Sequence, residues 1–422
     1  MEKKNFMDYA NSFQAVARLG LENMTVLMKN LGNPEEKLRF VHIAGTNGKG
    51  SVCAFLQCIF TAAGYKTGKY ISPNLISVCE RISLSGENIS EEALSGIMET
   101  VKKAAEKTEK ETGVYPTQFE LWTAAAFLYF SEQSADLVIL ETGLGGEKDA
   151  TNVVKNTVCS VITKIAADHT AYLGNTLSEI AAAKAGIIKK GGFTVSAPQS
   201  PDAAEVMKKR CLELKNPLFI AAECENIKFD ASRLCEVFDY KDLKRLEMRL
   251  LGVHQTENAA LAIETAKALK INEHYIRQGI FAAQNPARFE IISKKPAVIF
   301  DGAHNPNGVA ALCAALKRYF PDKKLRFITA AMADKDIGEN IKILSENGFK
   351  SCPFFTLAVK NNPRSASAEA LAAKFSGGGF SAVPCSGFEE IFKTVSDADI
   401  TVIFGSLYLY KDFAEFWDSA CK

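Results

Sequence analysis

A chain of 422 residues with a net charge of +1 is long enough for two or three domains and offers no electrostatic case for nucleic acid or a membrane surface. Its eleven cysteines include no C-x-x-C pair, which argues for a reducing compartment and against a disulfide framework or a zinc site. The first residues are polar and charged with no long apolar run, so neither a signal peptide nor a membrane span is expected, and a cytoplasmic protein is.

Residues 5–30 read as an amphipathic helix ended by the turn Leu31-Gly32-Asn33-Pro34. Residues 39–44 then form a short apolar run, the pattern of a buried strand. Gly45-Thr46-Asn47-Gly48-Lys49-Gly50-Ser51 follows, and the helical pattern resumes at Val52. Strand, glycine-rich turn, lysine, hydroxyl and helix make a phosphate cradle. The glycines let backbone N–H groups close on phosphate, and the helix N-terminus adds positive potential. Lys49 would reach the terminal phosphates and the Ser51 hydroxyl would meet Mg²⁺. The strict P-loop spacing is not met, since Ile43 stands at the first glycine position and Gly50 separates Lys49 from Ser51.

A strand is expected over residues 67–71, then a loop from Ser72-Pro73 to Ile82. A charged helix follows over 90–110, and a more apolar one opens at Pro116, where Thr117 and Glu120 have capping-box spacing. Residues 136–140 read as a buried strand with Glu141 at its carboxyl end. That is where ligands collect in a parallel α/β sheet, and a buried acid there is costly unless it is paired. Another strand at 157–163 leads to Asp168-His169, and Lys184 sits in an alanine-rich helical run, where a surface lysine is the plain alternative. Residues 192–250 read as the rest of the sheet. Prolines and a basic pair at 285–296 mark a boundary. The βαβ pattern then restarts at 297, with strands at 297–300, 325–329, 354–357 and 400–404 and no G-x-G-x-x-G. The expected organisation is α/β: a P-loop-type nucleotide domain (1–286), a linker (287–296) and a smaller, Rossmann-like doubly wound domain (297–422).

The loop at 45–51, taken with Ser72-Pro73, resembles the ATP loop of the folylpolyglutamate synthase/dihydrofolate synthase family of Mur-type amide ligases. Further segments resemble the same family in order: Gly145-Gly146-Glu147-Lys148-Asp149-Ala150-Thr151-Asn152, Asp168-His169 with Leu173-Gly174, Lys184-Ala185-Gly186, Gly252-Val253-His254-Gln255 with Asn258, and Asp301-Gly302-Ala303-His304-Asn305-Pro306. The chain departs at Glu147, where many members have Arg, at Ala183, where Glu is common, and at Asn307, where His is common. About forty residues precede the loop, too few for the UDP-sugar domain of the cell-wall Mur ligases, which favours the folate branch.

The resemblance implies an enzyme that uses ATP to phosphorylate a folate carboxylate and passes the acyl group to L-glutamate. It assigns Gly45, Thr46, Asn47, Gly48, Lys49, Gly50, Ser51, Asn258, Arg288, Asp301 and His304 to ATP. Ser51, Ser72, Glu141, His169 and Lys184 (as its carbamate) go to two Mg²⁺ ions, with a monovalent cation as a further candidate. Lys49, Glu141, His169 and Lys184 would be the catalytic group. Arg81, Thr117, Gln118, Phe119, Glu120, Lys148, Asp149 and Ala150 go to the folate or pteroate. ATP is expected between the domains, whose closure would exclude water, and a monomer is expected. Two alternatives stay open: a Mur-type ligase of another acid, and a nucleotide-gated binding protein.

Overall fold

The computed structural model describes residues 18–167, 170–393 and 399–420. The first sheet has eight strands: β1 (Phe40–Ala44), β2 (Thr67–Tyr70), β3 (Ile82–Leu84), β4 (Glu87–Asn88), β5 (Leu137–Glu141), β6 (Thr157–Ile162), β7 (Phe193–Ser196) and β8 (Leu218–Ile220). Their spatial order is β4-β3-β2-β5-β1-β6-β7-β8. From β2 to β8 the pairing is parallel, and β3 and β4 extend the edge antiparallel. Every residue of β1 and of β5 is buried, because helices cover both faces of a parallel sheet. This is why these strands read as unbroken apolar runs. On one face the helices Glu22–Asn30, Glu91–Thr112 and Gln118–Glu132 enclose a core with Phe40, Trp122, Phe127 and Phe130.

Strands β9 (Glu225–Asp230), β10 (Cys235–Tyr240) and β11 (Leu243–Met248) form a separate three-stranded sheet. The reading of 192–250 as more of the first sheet is therefore corrected. Only β7 and β8 join it, and helix Pro201–Glu213 lies between them. The third sheet contains β12 (Glu290–Lys294), β13 (Ala297–Phe300), β14 (Lys324–Thr329), β15 (Phe354–Thr356), β16 (Ala382–Pro384) and β17 (Asp399–Phe404), in the order β12-β13-β17-β14-β15-β16. It is parallel from β13 to β16, with β12 antiparallel at one edge.

The described residues divide into two compact units. One holds those up to Ile227 with Phe238–Glu247 and Thr256–Ala283; the other holds Lys228–Val237, Met248–Gln255 and those from Gln284 on. A single boundary near 286 thus misses two earlier segments of the second unit. Tyr319 is bonded to both of them. Its ring lies 4.7 Å from that of Phe229 and 5.4 Å from that of Phe289. Its hydroxyl donates to Glu236 Oε1 at 2.8 Å and accepts from the Gly252 N–H at 2.8 Å. Glu236 is fully buried and its carboxyl is pushed above the usual range by burial. Tyr319→Phe leaves a buried N–H and a buried carboxyl short of a partner, at a cost of about 2–3 kcal/mol. Equilibrium denaturation of the full chain checks this; an unchanged midpoint would mean the two bonds carry no weight.

Candidate active site

The nucleotide loop leaves β1 at its carboxyl end and is fixed by the segment after β6. Gly45 has φ 153° and Gly48 φ 90°, backbone that side chains rarely adopt. A Cβ on Gly45 would stand 1.7 Å from Thr163 Oγ1, and one on Gly48 would stand 2.2 Å from Asn258 Oδ1. The Thr163 hydroxyl donates to the Asn47 carbonyl at 2.6 Å, and the Thr46 N–H donates to the Lys164 carbonyl at 3.0 Å. Thr46 Oγ1 and the Ala166 backbone exchange two bonds of 3.0 Å each. Helix Lys49–Ala62 then begins with no side-chain cap and no acid in its first turn. Its first N–H groups and positive dipole end are left for an anion.

Two lysines from distant parts of the chain meet at this loop. Lys49 Nζ donates to the Gly45 carbonyl at 3.1 Å and to the Thr46 carbonyl at 3.3 Å. Lys184 Nζ donates to the same Gly45 carbonyl at 2.9 Å. Lys184 closes helix Leu177–Ala185 and is only 3% exposed, which removes the surface-lysine alternative. The glycine-rich turn after β5 packs on this helix end. The Glu147 N–H donates to the Ala183 carbonyl at 2.7 Å, and a Cβ on Gly146 would stand 2.9 Å from the Lys184 carbonyl oxygen.

Glu141 ends β5 opposite Ile43 of β1 and is buried. Its Oε2 accepts the Ser72 N–H at 3.2 Å. Ser51 is buried in the first turn of the nucleotide helix. Glu141, Ser72 and Ser51 are thus carried by elements that end at one edge of the sheet. His169 lies outside the described residues. Among the described residues no group of three or more His, Cys, Asp and Glu side chains could hold a metal ion. One carboxylate with neighbouring hydroxyls is instead a hard-oxygen donor set. It suits Mg²⁺, which keeps waters and takes its remaining ligands from phosphate.

The folate candidates fall into two groups. Arg81 lies over the Trp122 ring, 5.8 Å from its centre, and its Nε donates to Asn74 Oδ1 at 2.7 Å. Phe119 sits 6.1 Å from the Tyr70 ring and against Gly143, where a Cβ would meet Phe119 Cζ at 2.5 Å. Burial pushes the Tyr70 hydroxyl up to about 12. These side chains form an aromatic wall near the strand ends. Thr117 and Glu120 make the full capping box of helix Gln118–Glu132, with the Glu120 carboxylate accepting the Thr117 N–H at 2.7 Å. Gln118 is half-buried at the start of that helix, and Lys148 is exposed.

Asp149 is buried. Its carboxylate accepts the Leu144 N–H at 2.7 Å, the Thr151 N–H at 3.0 Å and the Thr151 hydroxyl at 2.5 Å. Burial raises its carboxyl, and these bonds oppose that. His42, wholly buried and lowered to about 3 by burial, meets the Thr151 hydroxyl at 2.9 Å. Asp149 therefore ties together the turn that carries Ala150. His42 and Thr163 received no role from the sequence, because each stands in a run that reads simply as buried strand.

In the second unit Asp301 closes β13. Its two carboxylate oxygens accept the Phe289 and Ala303 N–H groups, each at 2.8 Å. Burial raises its carboxyl, and the Arg288 guanidinium pulls it back. Arg288 is held between Ala287 (φ 58°) and Phe289 (φ 46°), so Asp301 fixes the turn that presents it. His304 Nδ1 bonds the Gly302 carbonyl at 2.8 Å and the residue is exposed. His254, lowered to about 4 by burial and by Arg288, is a neighbour that the sequence named only within a family-like segment.

The chain matches the family model for the Mur ligase middle domain over residues 43–266 and that for the Mur ligase glutamate ligase domain over 287–407. The Dihydrofolate synthase/folylpolyglutamate synthase of Bacillus subtilis is 37% identical over 93% of this chain and 94% of its own. The Folylpolyglutamate synthase of Lacticaseibacillus casei is 36% identical over 78% of this chain and 79% of its own. The crystal structure of folylpolyglutamate synthase from Thermotoga maritima superposes with a TM-score of 0.87 at 31% identity, covering 99% of this chain and 97% of that one. E. coli FolC in complex with DHPP and ADP has a TM-score of 0.85 at 28% identity, covering 100% and 98%.

Proposed function

The chain belongs to the folylpolyglutamate synthase/dihydrofolate synthase family of Mur ligases, and from that premise we propose how its own residues carry out the family's ligation. It is an ATP-dependent ligase that adds glutamate to a folate. The observation that carries the assignment of roles is the meeting of Lys49 and Lys184 on the Gly45 carbonyl, in the same sheet edge as Glu141.

In the proposed reaction a carboxylate oxygen of the folate attacks the terminal phosphorus of ATP, and ADP leaves. The amine of L-glutamate then attacks the acyl carbon of the mixed anhydride, phosphate leaves, and the amine loses its proton. Phosphoryl transfer of this kind rests on positioning and charge neutralisation. The amides of residues 45–51 hold phosphate oxygens while Lys49 leaves its two loop carbonyls to bind them. Ser51, Ser72 and Glu141 would hold Mg²⁺, which when bound would neutralise phosphate charge and polarise the transferring group. Glu141, His169 and Lys184 are assigned to a second ion. For that role the Lys184 ammonium first loses a proton; the neutral amine then adds CO₂, forming an N–C bond and losing a second proton, so that a donor becomes an oxygen ligand. A free amine at Lys184 beside bound metal would count against this. In the second unit Arg288, whose turn Asp301 fixes, and His304 are assigned to the nucleotide, the forked guanidinium suiting phosphate oxygens.

The folate is placed against Arg81 and Phe119, with Thr117, Gln118, Glu120, Lys148, Asp149 and Ala150 shaping the wall. Tetrahydrofolate polyglutamates and dihydropteroate are both candidate acceptors. Glu147 is exposed on the turn beside Lys184, and its charge weighs against dihydropteroate. The protein is proposed to work as a cytoplasmic monomer; no described helix is long and apolar enough to cross a membrane. Sustained, multiple-turnover ADP release should require both L-glutamate and a folate, and a side-by-side assay with tetrahydrofolate and dihydropteroate identifies the acceptor. ADP release that ignores both would favour a nucleotide-gated binding protein.

A further inference from the structure

Strand β2 places a lysine inside the nucleotide sheet. Lys69 pairs with Ile139 of β5 on one side and with Ser83 of β3 on the other. Its neighbour Tyr70 points to one face, where its hydroxyl accepts from Thr123 Oγ1 at 3.2 Å. Side chains alternate along a strand, so Lys69 points to the opposite face. That face is covered by helix Lys49–Ala62, which packs on β2 and β5.

Glu141 is two residues beyond Ile139 on β5, so it lies on the same face as Lys69, diagonal to it across the two strands. Such diagonal positions are within reach of a long side chain. Burial lowers the Lys69 ammonium from the usual lysine range, while the thiols of Cys53 and Cys58 and the carboxylates of Glu141 and Glu80 act to raise it. Burying a lysine among strands is costly unless its charge is matched. The candidate metal carboxylate, placed diagonally on the same face, contributes part of that charge.

A cation so placed has two effects. With no metal present it adds to the Ser72 N–H in balancing the buried carboxylate of Glu141. When a divalent ion approaches, the same ammonium competes for the carboxylate and repels the ion. We propose that Lys69 is a positioning residue: it holds Glu141 in the metal-free enzyme and weakens divalent-cation binding there, so that the metal enters with the nucleotide, whose phosphates supply the missing ligands. This rests on the assignment of Glu141 to metal under the function proposed above.

The test is a titration of the nucleotide-free, full-length protein with Mn²⁺, following free Mn²⁺ by electron paramagnetic resonance. Lys69→Met should bind Mn²⁺ about tenfold more tightly than the unaltered protein, since a nearby like charge is removed from a poorly screened site. Lys69→Arg keeps the charge and should stay within about twofold. A merely structural lysine would give weaker or unchanged binding in Lys69→Met together with lower thermal stability, and that result would overturn the proposal. If Lys69→Met does not fold, Lys69→Gln carries the same expectation. Glu141→Gln separates the two levels of the claim. If it loses Mn²⁺ while the Lys69 variants do not gain it, the inference about Lys69 alone fails. If it binds Mn²⁺ as before, the placement of the metal at Glu141 fails as well.

Discussion

Lys49→Ala is expected to abolish ligation, lowering kcat/KM by about 10³-fold or more, the scale of losing a charged group that meets developing phosphate charge. Stability should change little. In the ligand-free chain Lys49 is half-buried, and among the described residues its ammonium bonds the carbonyls of Gly45 and Thr46, four and three residues before it. Those carbonyls sit in a turn already held by Thr163 and by the exchange between Thr46 and Ala166. Steady-state kinetics and a thermal melt, run together, separate a lost catalytic charge from a lost fold. Near-normal ligation by a folded Lys49→Ala protein would remove the lysine from the mechanism.

Glu141→Gln is the second large effect. Glutamine preserves size and still offers an oxygen to the Ser72 N–H, which Glu141 accepts at 3.2 Å. It gives up the negative charge that a hard divalent ion requires. Turnover should fall by about 10²–10³-fold, and the Mg²⁺ concentration needed for half-maximal rate should rise. Because the substitution also takes a matching charge from the buried Lys69 ammonium, a thermal melt run beside the kinetics checks that the variant is folded. An unaltered Mg²⁺ dependence would point to a different ligand.

The parts of the fold visible in the sequence are those where both faces of a strand are buried. Residues 39–44 and 136–140 read as apolar runs because β1 and β5 have helices on either side. The glycines of the nucleotide turn were legible for a related reason. Their backbone angles and the nearness of Thr163 and Asn258 leave no room for a Cβ. Lys184 was singled out by resemblance, and its burial against Gly45 comes from tertiary structure that no local pattern encodes. The hairpin region at 225–248 has strand-like composition, but composition does not say which sheet a strand joins. Tyr319, from a helix seventy to ninety residues later in the chain, claims two of its neighbouring segments. Short strands such as β16 (Ala382–Pro384) offer too few residues for an alternation to show. Lys69 escaped notice for a similar reason: one charged residue in a four-residue strand reads as an edge, and only the register with β5 puts it beside Glu141.

The most direct measurement is a crystal structure of the chain with a non-hydrolysable ATP analogue and Mg²⁺. The triphosphate should lie on the backbone N–H groups of residues 45–51, with Lys49 turned from the Gly45 carbonyl toward phosphate and Mg²⁺ against Glu141. A triphosphate bound away from the carboxyl ends of β1 and β5, with Lys49 still on its own loop, would contradict the assignment.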